Sequence, residues 1–225
     1  MELLKIKNLF KDLSQTLAKE LLEKVDYPWE ALSQIGSFIM QIGEELPMEE
    51  YEKRGDDVWI AKSAKIYPNT YIQGPTIIGK ETEVRPGAFI RGNVIVGDGA
   101  VIGNSTELKN VILFNKVQVP HYNYVGDSIL GYRAHMGAGA ITSNVKSDKT
   151  LVLVKSGEKK LETGLKKMGA ILGDNVEVGC GSVLNPGTII GANSIIYPLS
   201  SVRGFVLPGS IYKKQSEIVK KNKTK

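Results

Sequence analysis

An all-β solenoid is the fold class this 225-residue sequence predicts: a parallel β-helix with a helical segment ahead of it and one hairpin loop inserted. Three observations predict it. Stepping by six from Ile60 gives Ile66, Ile72, Ile78, Val84, Ile90, Val96, Ile102 and Leu108, aliphatic at every step. A companion column lies four residues behind: Ala64, Thr70, Thr76, Thr82, Ala88, Val94, Ala100 and Thr106, each small or β-branched. The composition, with 24 glycines and only 7% aromatic residues, supplies many turns and few large anchors. A helix needs a period near 3.6 and a plain strand a period of two, so six fits neither. It fits a short strand plus a corner, repeated around a three-sided coil, with the aliphatic pointing inward and the small residue at the corner. Each coil takes ~18 residues, and coils stack at the ~4.8 Å strand spacing.

The elements follow in order. Residues 1–50 form a helical segment: Leu4, Ile6, Leu9, Phe10, Leu13 and Leu17 recur at helical spacing, and Trp29, Leu32, Ile35, Phe38, Ile39 and Ile42 do so again after Tyr27-Pro28. Two amphipathic helices placed there are expected to cap the open end of the solenoid, which otherwise exposes strand edges. Residues 51–208 form the solenoid, whose repeat resumes as Leu172, Val178, Leu184, Ile190, Ile196 and Val202. Between 147 and 168 the pattern stops. There the apolar run Leu151–Val154, a turn at Ser156-Gly157-Glu158 and a return through Leu161 read as an inserted hairpin, a lid or a partner-facing arm. Residues 209–225 form a basic tail, expected to be solvated, with six lysines from Lys213 to Lys225 against Glu217.

That tail accounts for the whole formal net charge of +5, so the remaining chain is balanced and lacks the basic face of a nucleic-acid binder. No apolar run approaches a membrane span, and the start carries charges too often for a signal peptide, so a cytoplasmic protein without membrane contact is expected. The single cysteine, Cys180, excludes an internal disulfide framework.

Periodicity also predicts which side chains share a face. Between Leu108 and Thr142 the coils shorten to 17 residues, so Ile90, Leu108, Val125 and Thr142 stack as one inward column. The residue after an inward position faces solvent, which sets Arg91 beneath Lys109, a like-charge pair that suits an anion. The residue before it also faces out, which sets Glu107 beneath Tyr124. With Asn144 one coil on and His121 at the preceding corner, these residues form one polar patch.

The hexad repeat resembles that of left-handed parallel β-helix acyltransferases. The stretch from Arg91 to Asn144 resembles, without gaps, the C-terminal glucosamine-1-phosphate N-acetyltransferase domain of the bifunctional enzyme that makes UDP-N-acetylglucosamine. The resemblance implies that Arg91 and Lys109 bind the sugar phosphate and that Tyr124, Asn144 and a lysine near Lys149 contact the amino sugar. It implies His121 as catalytic base, oriented by Glu107. His135 stands where the family has a sugar-contacting asparagine. Backbone contacts to the co-substrate acetyl-CoA fall near Ala138, Cys180 and Pro198, and the family's late arginine for the CoA phosphate has no counterpart. The implied assembly is a homotrimer. In this chemistry a neutral imidazole deprotonates the amine, and a backbone N–H of Gly137-Ala138-Gly139 stabilises the oxyanion. Two other readings are a non-catalytic trimeric solenoid binding sugar phosphate or a partner enzyme, and a metal site sharing histidines across subunits, for which His121 and His135 are too few.

Overall fold

The computed structural model describes residues 1–214 and 217–220. The hexads wind into a left-handed parallel β-helix of three faces. The first face stacks Val58–Ala61, Thr76–Ile78, Val94–Val96, residues 111–113 and 128–130, Ala170–Leu172, Thr188–Ile190 and Phe205–Val206. Lys65–Ile66 through Ser210–Lys214 make the second face, and Tyr71–Ile72 through Ser201–Val202 the third. Two strands, Glu107–Leu113 and Tyr124–Leu130, bend around the corner and serve both the third face and the first.

Inside, the aliphatics stack in register. Ile60, Ile78, Val96, Leu113, Leu130, Leu172, Ile190 and Val206 form one column, each at most 2% exposed. The small column has its own chemistry. At the corners Thr82, Thr106 and Thr188 donate their hydroxyls to the carbonyls of Gly97, Val119 and Val202 at 2.7, 2.9 and 3.0 Å. Among the described residues no buried side-chain nitrogen or oxygen lacks a partner. The corner hydroxyls are thus themselves satisfied by backbone carbonyls of the next coil.

The N-terminal segment does not cap the end of the solenoid; it lies along the first face. Only there, among the described residues, does the outward position carry a fully buried aliphatic coil after coil: Ile77, Ile95, Ile112, Ile129, Ile171 and Ile189. Burying each such side chain favours the fold by ~1.5–3 kcal/mol, which outweighs covering one strand edge. The segment is anchored at both ends. Near its start Asp174 accepts the Lys11 N–H at 2.7 Å, and the Asp174 N–H donates to the Leu9 carbonyl at 3.1 Å. At its end Gly43 rests on Trp59, where a Cβ would lie 2.6 Å from the ring.

This course breaks the expected long first helix into pieces, Ile6–Leu9 and Lys19–Glu23, joined by a 3-10 turn at Leu13–Gln15. Between them Phe10 is extended and sets its ring 4.7 Å from Phe114, while the Asp12 carboxylate accepts the Ser14 N–H at 2.9 Å. The second helical stretch is a 3-10 run, Pro28–Gln34, continued by an α-helix, Ile35–Gly43. Tyr51–Lys53 then pairs antiparallel with Val58–Ala61 and covers the first-coil edge on that face.

The inserted hairpin pairs Leu153–Ser156 with Lys159–Glu162. The basic tail is not wholly solvated. Glu217–Lys220 returns antiparallel along Ser210–Lys214, with Lys213 and Glu217 paired at 3.1 Å, while the expectation for 221–225 lies outside the described residues. No helix among the described residues is long and apolar enough to cross a membrane.

Candidate active site

Residues 121–124 turn the corner between the second and third faces. Asn123 fixes that corner. Its buried amide donates to the carbonyls of Gly137 and Ala140 at 2.8 and 3.0 Å and accepts the His121 N–H at 3.0 Å. The backbone of His121 is therefore held rigidly, while its exposed imidazole makes no hydrogen bond among the described residues.

From His121 a column climbs the corner. Gly139 N–H donates to the His121 carbonyl at 3.0 Å, Gly181 N–H to Ala138 at 2.9 Å, and Leu199 N–H to Cys180 at 2.9 Å. His121, Ala138, Cys180 and Pro198 thus stand one above another, coil by coil. Gly137 N–H is committed to the Val178 carbonyl at 2.7 Å, and Gly139 N–H to His121. Among the described residues the exposed Ala138 and Cys180 N–H groups have no acceptor. Of the three residues expected to offer an oxyanion donor, Ala138 is the one with its donor free.

On the third face, Glu107 pairs with Tyr124 across the ladder, as the spacing predicts. Arg91 Nη1 meets Glu107 Oε1 at 2.7 Å. Lys109 Nζ lies 3.3 Å from Asp127 Oδ1. Asp127, only 4% exposed, is the hub of the patch: it also accepts from Asn110 Nδ2 at 2.9 Å and from Asn144 Nδ2. Asn144 Nδ2 reaches the Tyr124 hydroxyl at 3.1 Å as well, leaving the phenolic O–H free to donate elsewhere. Burial, then the charges of Asp127 and Glu107, push the Tyr124 phenol above its ordinary pKa, so it stays protonated at neutral pH. Gly126 makes this convergence possible, because a Cβ there would fall 2.5 Å from the Tyr124 hydroxyl and 3.0 Å from Asn144 Nδ2.

The structure therefore brings Arg91, Glu107, Lys109, Tyr124 and Asn144 together, and His121 with Ala138, Cys180 and Pro198. Three expectations need correction. Glu107 does not orient His121; among the described residues its side-chain partner is Arg91, the nearer opposite charge. Arg91 and Lys109 are not a bare like-charge pair, since each has its own carboxylate. His135 lies on the second face, apart from the patch, with its Nδ1 2.8 Å from Glu177 Oε2. Lys149 sits exposed in the turn before the hairpin, its N–H bonded to the Lys146 carbonyl at 3.0 Å. Sequence reasoning missed Asp127 and Asn123. Asp127 has a readable signal, a lone carboxylate inside the apolar run Tyr124–Leu130. Among the described residues no group of three or more histidine, cysteine or acidic side chains is placed to hold a metal ion.

Residues 72–195 match the family model described as the GMPPB C-terminal domain, more than half of the chain. The chain belongs to this family. The span matched to the GMPPB C-terminal domain includes the whole third-face patch, His121, Ala138 and Cys180, and stops short of Pro198. A bifunctional protein GlmU from Methanococcus maripaludis is 33% identical over 202 residues, covering 88% of this chain and 49% of that protein. One from Methanococcus aeolicus is 38% identical over 124 residues, covering 55% of this chain and 30% of that protein. The chain thus spans less than half the length of these two bifunctional relatives. The uncharacterized acetyltransferase YaiX of Escherichia coli is 30% identical over 181 residues, covering 80% of this chain and 77% of that protein.

Proposed function

We propose that this protein transfers an acetyl group from acetyl-CoA to the amine of an amino sugar phosphate, with glucosamine 1-phosphate as the acceptor. The observation that carries this reading is the corner column: an imidazole at its foot, and above it two backbone N–H groups, all without partners among the described residues. An extended amide-bearing thioester laid along Pro198, Cys180 and Ala138 would bring its acyl end to His121. The name of YaiX, an uncharacterized acetyltransferase, agrees with acetyl transfer.

In this mechanism His121 takes a proton from the attacking neutral amine as its nitrogen adds to the thioester carbonyl. The Ala138 N–H stabilises the oxyanion. Collapse breaks the C–S bond, and the imidazolium returns its proton to the departing thiolate. Tyr124 and Asn144 orient the sugar, and Lys109 and Arg91 present their charge to its phosphate, with Asp127 and Glu107 holding them in place. Cys180 needs no nucleophilic role, because direct transfer balances without one. We place the active form as a homotrimer of about 74 kDa, three copies of the 24.6 kDa chain. Sedimentation showing a monomer at micromolar concentration would contradict the trimer.

A second reading, a non-catalytic solenoid binding sugar phosphate or a partner enzyme, is favoured by one observation: among the described residues no carboxylate pairs with the His121 imidazole. One experiment separates the two. Thiol release from acetyl-CoA is measured against a panel of amino sugars and their 1-phosphates. Release that depends on glucosamine 1-phosphate supports the enzyme, and none with any acceptor supports the scaffold.

A further inference from the structure

The inserted hairpin forms a fixed wall at the corner where the third face turns into the first. Val152 and Val154, at its base, are fully buried. Its backbone lies so close to the coils that a Cβ on Gly187 would sit 2.7 Å from the Leu153 carbonyl, and one on Gly204 3.0 Å from that of Lys155. Both glycines also have positive φ, 78° and 75°, so a larger residue is disfavoured at either place. Between this wall and the coil edge is a cavity of about 400 Å³, within the ~300–1,000 Å³ range of small-molecule sites.

Its charge is one-sided. Lys146, Lys155, Lys160 and Arg203 line it, with Asp148 as the sole lining carboxylate. Asp148 already accepts from Lys146 at 3.2 Å and from the Thr150 N–H at 3.0 Å. Lys155, Lys160 and Arg203 enter no ion pair among the described residues. Lys155 and Lys160 are direct partners across the hairpin, where like charges destabilise the pairing. The Arg91 and Lys109 cations on the third face each have a carboxylate; these three do not. Three cations set around one cavity, in no ion pair among the described residues, call for a multivalent anion from outside. Arg203 adds the planar fork that suits phosphoryl oxygens.

We propose that this cavity is a binding site for a diphosphate-bearing small molecule, with Lys155, Lys160 and Arg203 as its anion ligands. The site does not depend on the acyl-transfer reading, and its test uses no acyl donor, so either can fail alone.

The test is calorimetric titration of the full chain with inorganic pyrophosphate, alongside Lys160→Ala, Arg203→Ala and Lys159→Ala. Lys159 neighbours Lys160 on the same strand but does not line the cavity. The wild type should bind pyrophosphate saturably at one site per chain. Lys160→Ala and Arg203→Ala should each raise Kd about tenfold or more, the usual effect of losing a charge-assisted contact, and Lys159→Ala should change it less than about twofold. Lys160→Glu, which offers Lys155 an ion pair and so preserves the hairpin, should abolish binding. No saturable binding by the wild type at millimolar pyrophosphate would overturn the proposal. Equal weakening by Lys159→Ala and Lys160→Ala would also overturn it, as the mark of a diffuse positive surface.

Discussion

Replacing Asp127 with alanine tests whether the third-face patch is organised around one buried carboxylate. The side chain receives Lys109 Nζ at 3.3 and 3.4 Å on its two oxygens, Asn110 Nδ2 at 2.9 Å, and Asn144 Nδ2. Alanine leaves all three donors without their acceptor. Lys109, with 27% of its side chain exposed, can swing to water and recover most of its solvation. The two amides are only part-exposed, and losing a hydrogen bond to a charged group costs ~1.5–3 kcal/mol each. Removing one partner of a buried ion pair costs ~3–5 kcal/mol. Because Lys109 can relax, the lower end applies, about 3 kcal/mol. At ~2–4 °C per kcal/mol for a chain of this size, Tm should fall by about 6–12 °C. Urea unfolding with an unchanged slope is the assay. Asp127→Asn keeps one carbonyl acceptor and should lose about half as much. In an active preparation both variants should raise KM for the phosphorylated sugar, since Lys109 and Asn144 lose their support. An Asp127→Ala variant within about 0.5 kcal/mol of the wild type would refute the idea that this carboxylate organises the patch.

The remaining predictions concern other parts of the molecule. His121→Ala should lower kcat by ~10²–10⁴ with Tm almost unchanged, because the exposed imidazole contributes no packing; full activity in a folded variant would remove it as the base. Glu107→Gln should raise KM for the phosphate-bearing acceptor through Arg91 and leave the acidic limb of the pH–rate profile in place, since the glutamate does not contact His121. Ile112→Ala, under the N-terminal segment, should cost ~2–5 kcal/mol in denaturant unfolding despite pointing away from the solenoid interior. Burial pushes the Tyr51 phenol up to about 12, against 10 ordinarily. Its folded pKa is raised, so this contribution to stability is complete below pH 10 and is lost as pH climbs through 12. Tyr51→Phe should lack that part of the alkaline loss, and identical curves for the two proteins would count against it.

How much was legible in the sequence follows from what repeats and what does not. The inward column repeats every six residues, with a step of five where the coils shorten to 17, so counting finds it and the register that sets Glu107 beneath Tyr124. The hairpin follows from local turn chemistry and was also readable, but its register was not: Ser156, read as part of the turn, pairs with Lys159, which sets Val154 opposite Leu161. The lie of the N-terminal segment was not read, although its signal is present: adjacent aliphatics such as Ile77-Ile78, Ile112-Leu113 and Ile189-Ile190 recur in successive coils of the first face and only sporadically on the other two. An outward aliphatic repeated coil after coil means that something covers it. Within the site, spacing shows which side chains share a face but not which partner each takes. Arg91 took Glu107, and Lys109 took Asp127, because charge pairing is settled by distances of a few ångströms that periodicity does not resolve. Asn123 escaped notice because its work, holding the corner beside His121, is done through backbone carbonyls of the next coil, which side-chain spacing does not reveal.

The N-terminal segment, fastened at Lys11–Asp174 and again at Gly43–Trp59, also acts as a ruler. Solenoids usually gain or lose whole coils with little penalty, because each repeat touches only its neighbours. Here a coil inserted between Trp59 and Asp174 would lengthen the first face by ~4.8 Å while the strap stayed the same length. One fastening would have to let go, and part of the outward isoleucine stripe would meet water. The number of coils from Trp59 to Asp174 is therefore counted by a segment that contains no repeat. Changes in coil number are free to accumulate only beyond Asp174, toward the end where the chain folds back as Glu217–Lys220.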